Sequence, residues 1–507
     1  MTRQKKASDD TEHSGWSATD EEESTRVRAR VKRGKKRTTH GWIDSGTVRT
    51  RLGSYAFQGG YPTQESARKL AEQLVYNRAV ELYLSQLPVV SQFHVLKGAA
   101  EAATGAPNQV VVWETLMDAK TVLLTGNTET VYGMSALDLR RDGPTVIELP
   151  PKMLGTVATL WQSEILGVGP TGADQGKGGK FLILPPDHEG TPPDGYFVGR
   201  STTYRALVGL RGFQVDGKPD QAAALMKQLK VYPLAKAAAP PPTTLVNGSG
   251  QRIDTIFPDT DQYFVDLATI FATEPASNFS TLERFQLAAI GIEPGKVFAP
   301  DEERAKLLAD AARFASAVAR ANSFDNVDPE RLVYPDRRWE WAFIGGSATW
   351  DSQGYLNSDR RAAFAYIAIG MAPAMVDKVV GQGSQYLVTT RDATGAHLDG
   401  GKTYRLRLPA NIPAKNFWSV VAYDARSRSL LDNGQEFPSV SSYTHPTANA
   451  DGSIDVTFGP DEPEDNDNWI RTFPGVGWFP LLRFYGPLQP LFDQTWKPDD
   501  IVALTGD

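Results

Sequence analysis

The 507-residue sequence contains no cysteine, which excludes disulfide bonds, iron–sulfur clusters, thiolate zinc sites and cysteine nucleophiles. It also has no apolar run close to the roughly 18 residues that cross a bilayer. Its six histidines form neither a His-x-His pair nor a His-Glu-x-x-His motif, so the sequence does not indicate a histidine-built metal site. From these absences we expect neither a bound cofactor nor a membrane-spanning helix.

An excess of charge of one sign is likewise absent. The 60 acidic and 53 basic residues leave a net charge of −7, a modest acidity that argues against nucleic acid as the main partner. The basic segment from Arg26 to Arg37 follows an acidic stretch and lacks interleaved aromatic residues. We interpret residues 1–40 as a disordered charged tail. No apolar h-region follows its charges, which favours the cytoplasm over export.

Glycine and proline, by contrast, are abundant, with 45 and 34 residues, and they punctuate short strand-like runs. Eight such runs follow one another between Val110 and Arg211. This spacing is typical of a β-sandwich or barrel rather than of βαβ units, which place helices between the strands. Five more strand-like runs between Tyr386 and Tyr485 predict a second sandwich.

Apolar residues at helical spacing predict four helices. They run from Pro62 to about Leu84, from Gln221 to Leu229, from Asp301 onward and from about Asp359 to Ile369. The third helix carries an apolar stripe at Leu307, Ala311, Phe314, Ala315 and Val318. Because such a stripe must be covered, we expect the central helices to pack on both sandwiches.

The predicted fold class is mainly β with helical insertions (α+β), in which a helical region bridges two β-sandwiches. We place the charged tail at 1–40, an N-terminal helix plus β-sandwich at 41–236, a linker and helical region at 237–385, and a C-terminal β-sandwich at 386–507. The linker begins with three alanines and the prolines Pro240, Pro241 and Pro242, which stiffen it.

Several short motifs also occur in a fixed order along the chain. In the N-terminal half they are Tyr76-Asn77-Arg78-Ala79-Val80, Asn127–Tyr132, Leu137-Asp138-Leu139, Pro185-Pro186, Gly195–Thr202 and Tyr232-Pro233-Leu234. Further on they are Gly291–Phe298, Phe417-Trp418-Ser419, Asp451-Gly452-Ser453, Asn468-Trp469 and Arg483-Phe484-Tyr485-Gly486-Pro487. With these motifs the chain resembles the bacterial tandem proteins in which domain of unknown function 1254 is followed by domain of unknown function 1214.

The resemblance implies two jelly-roll-like β-sandwiches, the first of the 1254 type and the second of the 1214 type, often assembled as a homo-oligomer. Many such relatives look exported, whereas this chain starts with a charged tail. Where the family usually has an Asn-Asn-Asp-Thr turn, the sequence here is Asn127-Thr128-Glu129-Thr130, so the acid is one methylene longer. The resemblance supplies no established set of catalytic residues.

Four candidate site residues lie at this turn. Asn127, Thr128, Glu129 and Tyr132 enter a strand together, and their side chains could hydrogen-bond a polyhydroxylated or carbonyl-bearing ligand. Asn and Thr also stabilise turns through bonds to the backbone, and the sequence leaves both roles open. We assign Glu129 and Tyr132 to catalysis and Asn127 and Thr128 to ligand binding.

Arginine and tryptophan complete the candidate set. Arg200, Arg205 and Arg211 could each bind a carboxylate or phosphate, or form a structural ion pair. We assign Arg200 to catalysis and Arg205 to ligand binding. Trp113 offers a stacking surface for the same ligand.

Two functions follow from these residues. The first is an enzyme, a hydrolase or lyase, that acts on a carbohydrate-like or other polar small molecule in the N-terminal sandwich. The second is a non-catalytic ligand-binding or assembly protein, since jelly-roll folds serve capsids and lectins as well as enzymes. The residues do not decide whether the chain is an enzyme.

Deleting residues 1–37 should leave folding intact. The segment has almost no apolar side chains to bury, and ordering it would cost roughly 1 kcal/mol or more per residue. We expect the truncated and full-length proteins to melt at the same temperature in a thermal unfolding experiment. A melting temperature lowered by several degrees on truncation would contradict the disordered tail.

Overall fold

A computed structural model describes residues 46–103, 107–464 and 468–504, so the tail predicted at 1–40 lies outside the described residues. The described part combines several sheets with eight helices, with 27% of residues in helices and 29% in strands, and none of its sheets closes into a barrel. The mainly β, α+β fold class is therefore confirmed. The described residues divide into two units, with the boundary between Leu74 and Val75.

The first unit contains a small antiparallel sheet and the start of a long helix. Its elements are β1 (Thr47–Thr50), β2 (Gly53–Gln58), β3 (Tyr61–Pro62) and α1 (Gln64–Ala102). Thr63 caps α1, because its Oγ1 accepts a hydrogen bond from the backbone N of Ser66 at 3.3 Å. The helix does not end near Leu84, since it continues through Pro88. A helical proline costs ~3 kcal/mol, which the burial of Val89, Val90, Val95 and Leu96 offsets.

The second unit begins with the N-terminal sandwich. Its elements are β4 (Gln109–Val112), β5 (Thr121–Val122), β6 (Thr130–Asp138), α2 (Leu139–Asp142), β7 (Thr145–Leu149), β8 (Met153–Thr159), β9 (Glu164–Val168), β10 (Gly179–Leu184), β11 (Phe197–Arg200), β12 (Arg205–Phe213), α3 (Asp220–Met226), β13 (Lys230–Pro233), β14 (Thr244–Asn247) and β15 (Ile253–Asp254). One sheet has the order β14-β4-β6-β12-β8-β9 and the other β11-β10-β7-β13. Val208 and Leu210 of the first sheet share an apolar core with Ile147 and Phe181 of the second.

The helical region and the C-terminal sandwich follow. Their elements are α4 (Gln262–Thr273), α5 (Thr281–Ile290), α6 (Glu302–Phe324), β16 (Glu340–Trp341), β17 (Asp351–Ser352), β18 (Tyr355–Leu356), α7 (Ser358–Ile367), β19 (Ser384–Val388), β20 (Tyr404–Leu408), β21 (Ala414–Asp424), β22 (Ser439–Ser441), β23 (Ile454–Gly459), β24 (Trp469–Arg471), β25 (Trp478–Pro487), α8 (Gln489–Phe492) and β26 (Val502–Ala503). The sheets β16-β19-β25-β21-β22 and β24-β23-β20-β26 enclose a second core, to which Leu482 and Leu406 contribute.

A third apolar core connects the two sandwiches through the helices. It joins Met134 of β6 and Tyr423 of β21 with Leu82 of α1, Leu267 of α4 and Leu308 of α6. Because residues of both large sheets belong to this one cluster, the helices pack on both sandwiches, as their apolar stripes predict.

The buried face of α6 differs from the predicted stripe. Ala311 and Ala315 are buried as expected, but Phe314 is 52% exposed. The other buried positions are Leu308, Ala312, Ser316 and Ala319. Small residues let neighbouring helices approach closely, so the buried face of α6 follows its alanines and not its largest apolar side chain.

The proline segment leads back to the N-terminal sheet. Shortly after Pro242, β14 pairs in parallel with β4, with Thr244 opposite Gln109 and Asn247 opposite Val112. The residues on the two sides of this segment are therefore joined by backbone hydrogen bonds.

Proteolytic cleavage near Pro242 should not release two independently stable halves. The β4–β14 pairing and the core shared by the helices and both large sheets hold residues from both sides of the cut. We expect the nicked protein to elute as one species in size-exclusion chromatography and to unfold in one calorimetric transition. Two separable fragments, each with its own sharp melting transition, would refute the bridged architecture.

Candidate functional site

A cavity of about 100 Å³, the inner cavity, lies between the two large sheets and α7. Aliphatic side chains such as Leu124, Ile367 and Leu481 form much of its wall. Its polar residues are Thr125, Tyr132, Arg211, Tyr386, Arg483 and Tyr485. A mostly apolar cavity with a few convergent polar groups is typical of a small-molecule site.

The N-terminal sheet supplies one tyrosine and one arginine to the inner cavity, and the C-terminal sheet supplies two tyrosines and one arginine. Tyr132 of β6 is directly opposite Arg211 of β12, whose guanidinium lies 5.3 Å from the ring centroid. Tyr386 of β19 is likewise opposite Arg483 of β25, with a separation of 6.0 Å. Directly opposite residues of an antiparallel pair share one face of the sheet, so the paired strands bring both arginine–tyrosine pairs to the cavity.

The two pairs meet at the hydroxyl of Tyr386. Nη1 of Arg211 donates to Tyr386 Oη at 3.4 Å, which links the two sandwiches. Oγ of Ser384 lies 2.5 Å from the same oxygen. Tyr386 Oη is thus the polar centre of the inner cavity.

Arg483 fixes the loop that precedes β6. Its Nη2 donates to the backbone oxygens of Thr125 at 2.7 Å and Gly126 at 3.2 Å, while its Nη1 donates to Tyr423 Oη. The Tyr423 hydroxyl in turn donates to Gly126 O at 2.6 Å. A strand of the C-terminal sandwich therefore positions a loop of the N-terminal one.

Neither cavity arginine has a carboxylate partner among the residues that the structure describes, since their hydrogen bonds go to tyrosine hydroxyls and backbone oxygens. Burial by itself would lower the pKa of Arg211 and of Arg483, but the neighbouring tyrosines raise the pKa of both above its ordinary value. Both groups are therefore cationic. A buried charge without a counter-charge is costly, and an anion in the cavity would supply one through charge-assisted hydrogen bonds.

The tyrosines of the cavity differ in acidity. Burial by itself would raise the pKa of Tyr386, but Arg211, Ser384 and Arg483 lower it below the ordinary value of 10.0. Burial raises the pKa of Tyr485 well above that value. Neighbouring groups with pKa values driven apart are characteristic of acid–base sites, and Tyr386 is the residue suited to lose its proton here.

Of the predicted site residues, Tyr132 lines the inner cavity and Asn127 supports it. Asn127 Nδ2 donates to Tyr485 Oη at 2.7 Å. Thr128 Oγ1 and Ser439 Oγ donate to Glu129 Oε1 at 2.8 and 2.9 Å. The turn residues are therefore brought together, but Thr128 and Glu129 are buried behind Asn127 and do not belong to the cavity wall.

Trp113 and Arg200 lie away from this cavity. Trp113 is buried in the core, where its Nε1 donates to Thr121 Oγ1 at 2.8 Å. Arg200 lies exposed at the end of the edge strand β11. Its Nη1 donates to His188 O at 2.8 Å, so carbonyl oxygens satisfy it.

Arg205 lines a separate cavity of about 200 Å³ between α1 and the six-stranded sheet. Its Nη1 donates to Thr273 Oγ1 at 2.7 Å and contacts Glu274 Oε1 at 3.3 Å. Burial raises the pKa of Glu274, although backbone N–H groups and Arg205 oppose the shift. Arg205 thus forms the structural ion pair that was the alternative to ligand binding.

The sequence-based assignment missed Tyr386, Arg483 and Tyr485. The signal for Arg483 and Tyr485 is in β25, because Arg483 is the lone charged residue in a strand, Trp478–Pro487, that is buried along its whole length. Arg211 was considered as an anion ligand but was not assigned. Only the strand pairing shows which tyrosine accompanies each arginine.

Within residues 46–103, 107–464 and 468–504, no group of three histidine, aspartate or glutamate side chains is placed to hold a metal ion. In the same residues no helix is long and apolar enough to cross a membrane.

The described residues form two β-sandwiches joined by helices, and one family model matches part of each sandwich region. The model for Protein of unknown function (DUF1254) matches residues 107–233, and the model for Protein of unknown function (DUF1214) matches residues 383–489. The chain therefore carries a DUF1254 match followed by a DUF1214 match, the tandem order that its motifs predict.

One solved structure has a similar fold. The VPA0106 protein of Vibrio parahaemolyticus is 17% identical with a TM-score of 0.54, and the match covers 85% of this chain and 100% of that one. An uncharacterized protein of Burkholderia cenocepacia is 13% identical with a TM-score of 0.39, over 87% and 97% of the two chains. The first likeness shows a similar fold. The search of curated proteins found no match.

Tyr386 should ionise at a lower pH than an ordinary tyrosine. In an ultraviolet difference titration of the 17 tyrosines, we expect one phenolate to form with a pKa below ~10. Tyr386→Phe should remove this step, and Arg211→Gln should move it to higher pH because a positive neighbour is lost. Tyr443→Phe is the control, since burial raises the pKa of Tyr443 to about 12. An early step that survives Tyr386→Phe would contradict the assignment.

Proposed function

We propose that the protein is an enzyme that binds a small carboxylate in the inner cavity and uses Tyr386 as the general base. The observation that carries the proposal is the convergence of Arg211 and Arg483 on Tyr386, with no carboxylate of the described chain to neutralise them. Arginine recognises carboxylates through charge-assisted hydrogen bonds. A tyrosine with a lowered pKa that lies beside the bound acid is positioned to act as a general base.

The size of the cavity supports a small substrate. A water molecule occupies ~30 Å³ of the liquid and a cavity of about 150 Å³ holds benzene, whereas the inner cavity measures about 100 Å³. This volume suits a carboxylate of a few non-hydrogen atoms. A hexose has about twice as many non-hydrogen atoms as benzene, which exceeds that volume. Of the substrates expected from the sequence, the geometry favours the polar small molecule over the carbohydrate.

The arrangement suits proton abstraction next to the carboxylate. The Tyr386 phenolate takes the proton from the carbon adjacent to the carboxyl group, and the electrons of that C–H bond delocalise onto the carboxylate oxygens. Arg211 and Arg483 stabilise the charge that develops there. Departure of a leaving group from the next carbon, with its bonding electrons, then forms a carbon–carbon double bond. This is a lyase reaction, and it favours the lyase over the hydrolase alternative.

Activity profiling tests the proposal. Purified protein should turn over carboxylates that carry a leaving group on the second carbon from the carboxyl group, with a rate that rises with pH as Tyr386 deprotonates. Tyr386→Phe should lower kcat by about 10²- to 10⁴-fold, the usual contribution of a general base, and leave substrate binding nearly unchanged. Arg211→Gln should weaken binding in calorimetry, and Tyr443→Phe is the matched control.

Other outcomes would redirect the assignment. Carboxylate binding without turnover of any lyase or hydrolase substrate would favour the non-catalytic ligand-binding protein. Turnover that survives Tyr386→Phe but is abolished by Glu129→Gln would instead support the residues assigned from the sequence.

Two further properties stay predictions from the family resemblance. They are jelly-roll-like strand connectivity and assembly as a homo-oligomer. The mass of the purified protein in solution, measured by light scattering, tests the second.

A further inference from the structure

A second cavity, the outer cavity, adjoins the inner one. It measures about 210 Å³ and is lined by Glu330, Trp341, Phe343, Gly345, Gly346, Met375, Val376, Lys378, Gln385 and Tyr386. Three of these residues, Phe343, Met375 and Tyr386, also line the inner cavity. The two cavities therefore have these three side chains in common as parts of their walls.

The shared residues place Tyr386 at the boundary. Phe343 packs against Phe364 with ring centroids 4.3 Å apart and lies 6.4 Å from the Tyr386 ring. Met375 is partly exposed, and its unbranched side chain adapts to different neighbours at low cost. A molecule that extends from one cavity into the other therefore passes the phenol of Tyr386.

The outer cavity carries a positive charge that has no carboxylate partner among the described residues. Lys378 Nζ lies 4.8 Å from the centroid of the Trp341 ring, and no carboxylate of the described residues lies within ion-pair distance of it. Glu330 Oε1 is instead paired with Arg360 Nη2 at 3.1 Å. Both ends of the combined space thus carry cations without a carboxylate partner, Arg211 and Arg483 in the inner cavity and Lys378 in the outer one.

We infer that the two cavities form one elongated site for a small dicarboxylate. One carboxylate binds between Arg211 and Arg483 and the other binds Lys378, which places the connecting carbons beside Tyr386. The combined volume reaches the lower end of the range for small-molecule pockets, ~300 Å³. This inference rests on the proposed function for the inner half of the site and adds the substrate class.

Matched acids test the inference by calorimetry. Butyrate and succinate have the same chain length, as have valerate and glutarate, and each pair differs by one carboxylate. We expect the wild-type protein to bind each diacid more tightly than its partner. Lys378→Gln should weaken diacid binding about two- to fivefold, the range of an exposed ion pair, and leave the monoacids unchanged. Lys402→Gln, an exposed lysine outside both cavities, controls for net charge.

The results separate this inference from the proposed function. If Arg211→Gln weakens all four acids while Lys378→Gln changes none, or changes mono- and diacids equally, the outer subsite is wrong and the inner site stands. If Lys378→Gln acts on the diacids but Arg211→Gln has no effect, the proposed inner site fails. Absence of binding of every acid by the wild-type protein would overturn both.

Discussion

Both large sheets are apolar on their two faces, and the need to bury the second face of each governs the rest of the structure. Antiparallel sheets commonly leave one face to water, yet β25 is buried along its whole length. One face of each large sheet closes a sandwich core. The other face requires α1, α4, α6 and α7, which cover both sheets in a single core. The inner cavity is the space left where these sheets and α7 meet.

The inner cavity also holds two cationic groups, Arg211 and Arg483, whose burial is costly. Removing an ion from water costs several kcal/mol even after relaxation, whereas an arginine over an aromatic ring recovers roughly 0.5–2 kcal/mol. Arg211 and Arg483 recover more through hydrogen bonds to tyrosine hydroxyls and backbone oxygens, but no carboxylate of the described residues is paired with them. Hydrophobic residues of similar size would fill the same space without this penalty. This penalty is the energetic basis of the proposal that the arginines bind an anionic ligand.

Local sequence patterns were sufficient for the fold class and for part of the site. Glycine- and proline-punctuated runs revealed the strands, and helical spacing revealed α6 and α7. The turn at Asn127 and the following Tyr132 were recognised because they lie close together in the chain. Two predictions failed because of tertiary contacts. The burial of the residues after Pro88 extends α1 beyond its predicted end, and close helix packing leaves Phe314 exposed. Arg200 was assigned to the same site as Glu129, because the sequence of a single strand does not show to which sheet the strand belongs.

The bonds from Arg483 to the loop before β6 have a kinetic consequence. Arg483 and Thr125 are separated by 358 positions, and contacts between such distant residues form slowly because the intervening chain must first be ordered. During synthesis, the face of β6 that lies outside the N-terminal sandwich core and the apolar side of α1 therefore stay uncovered until β25 has been synthesised. Such intermediates expose apolar surface and are prone to aggregate. Newly made chains should depend on chaperones until β25 is in place, and a ligand that needs Arg483 will select molecules that have completed folding.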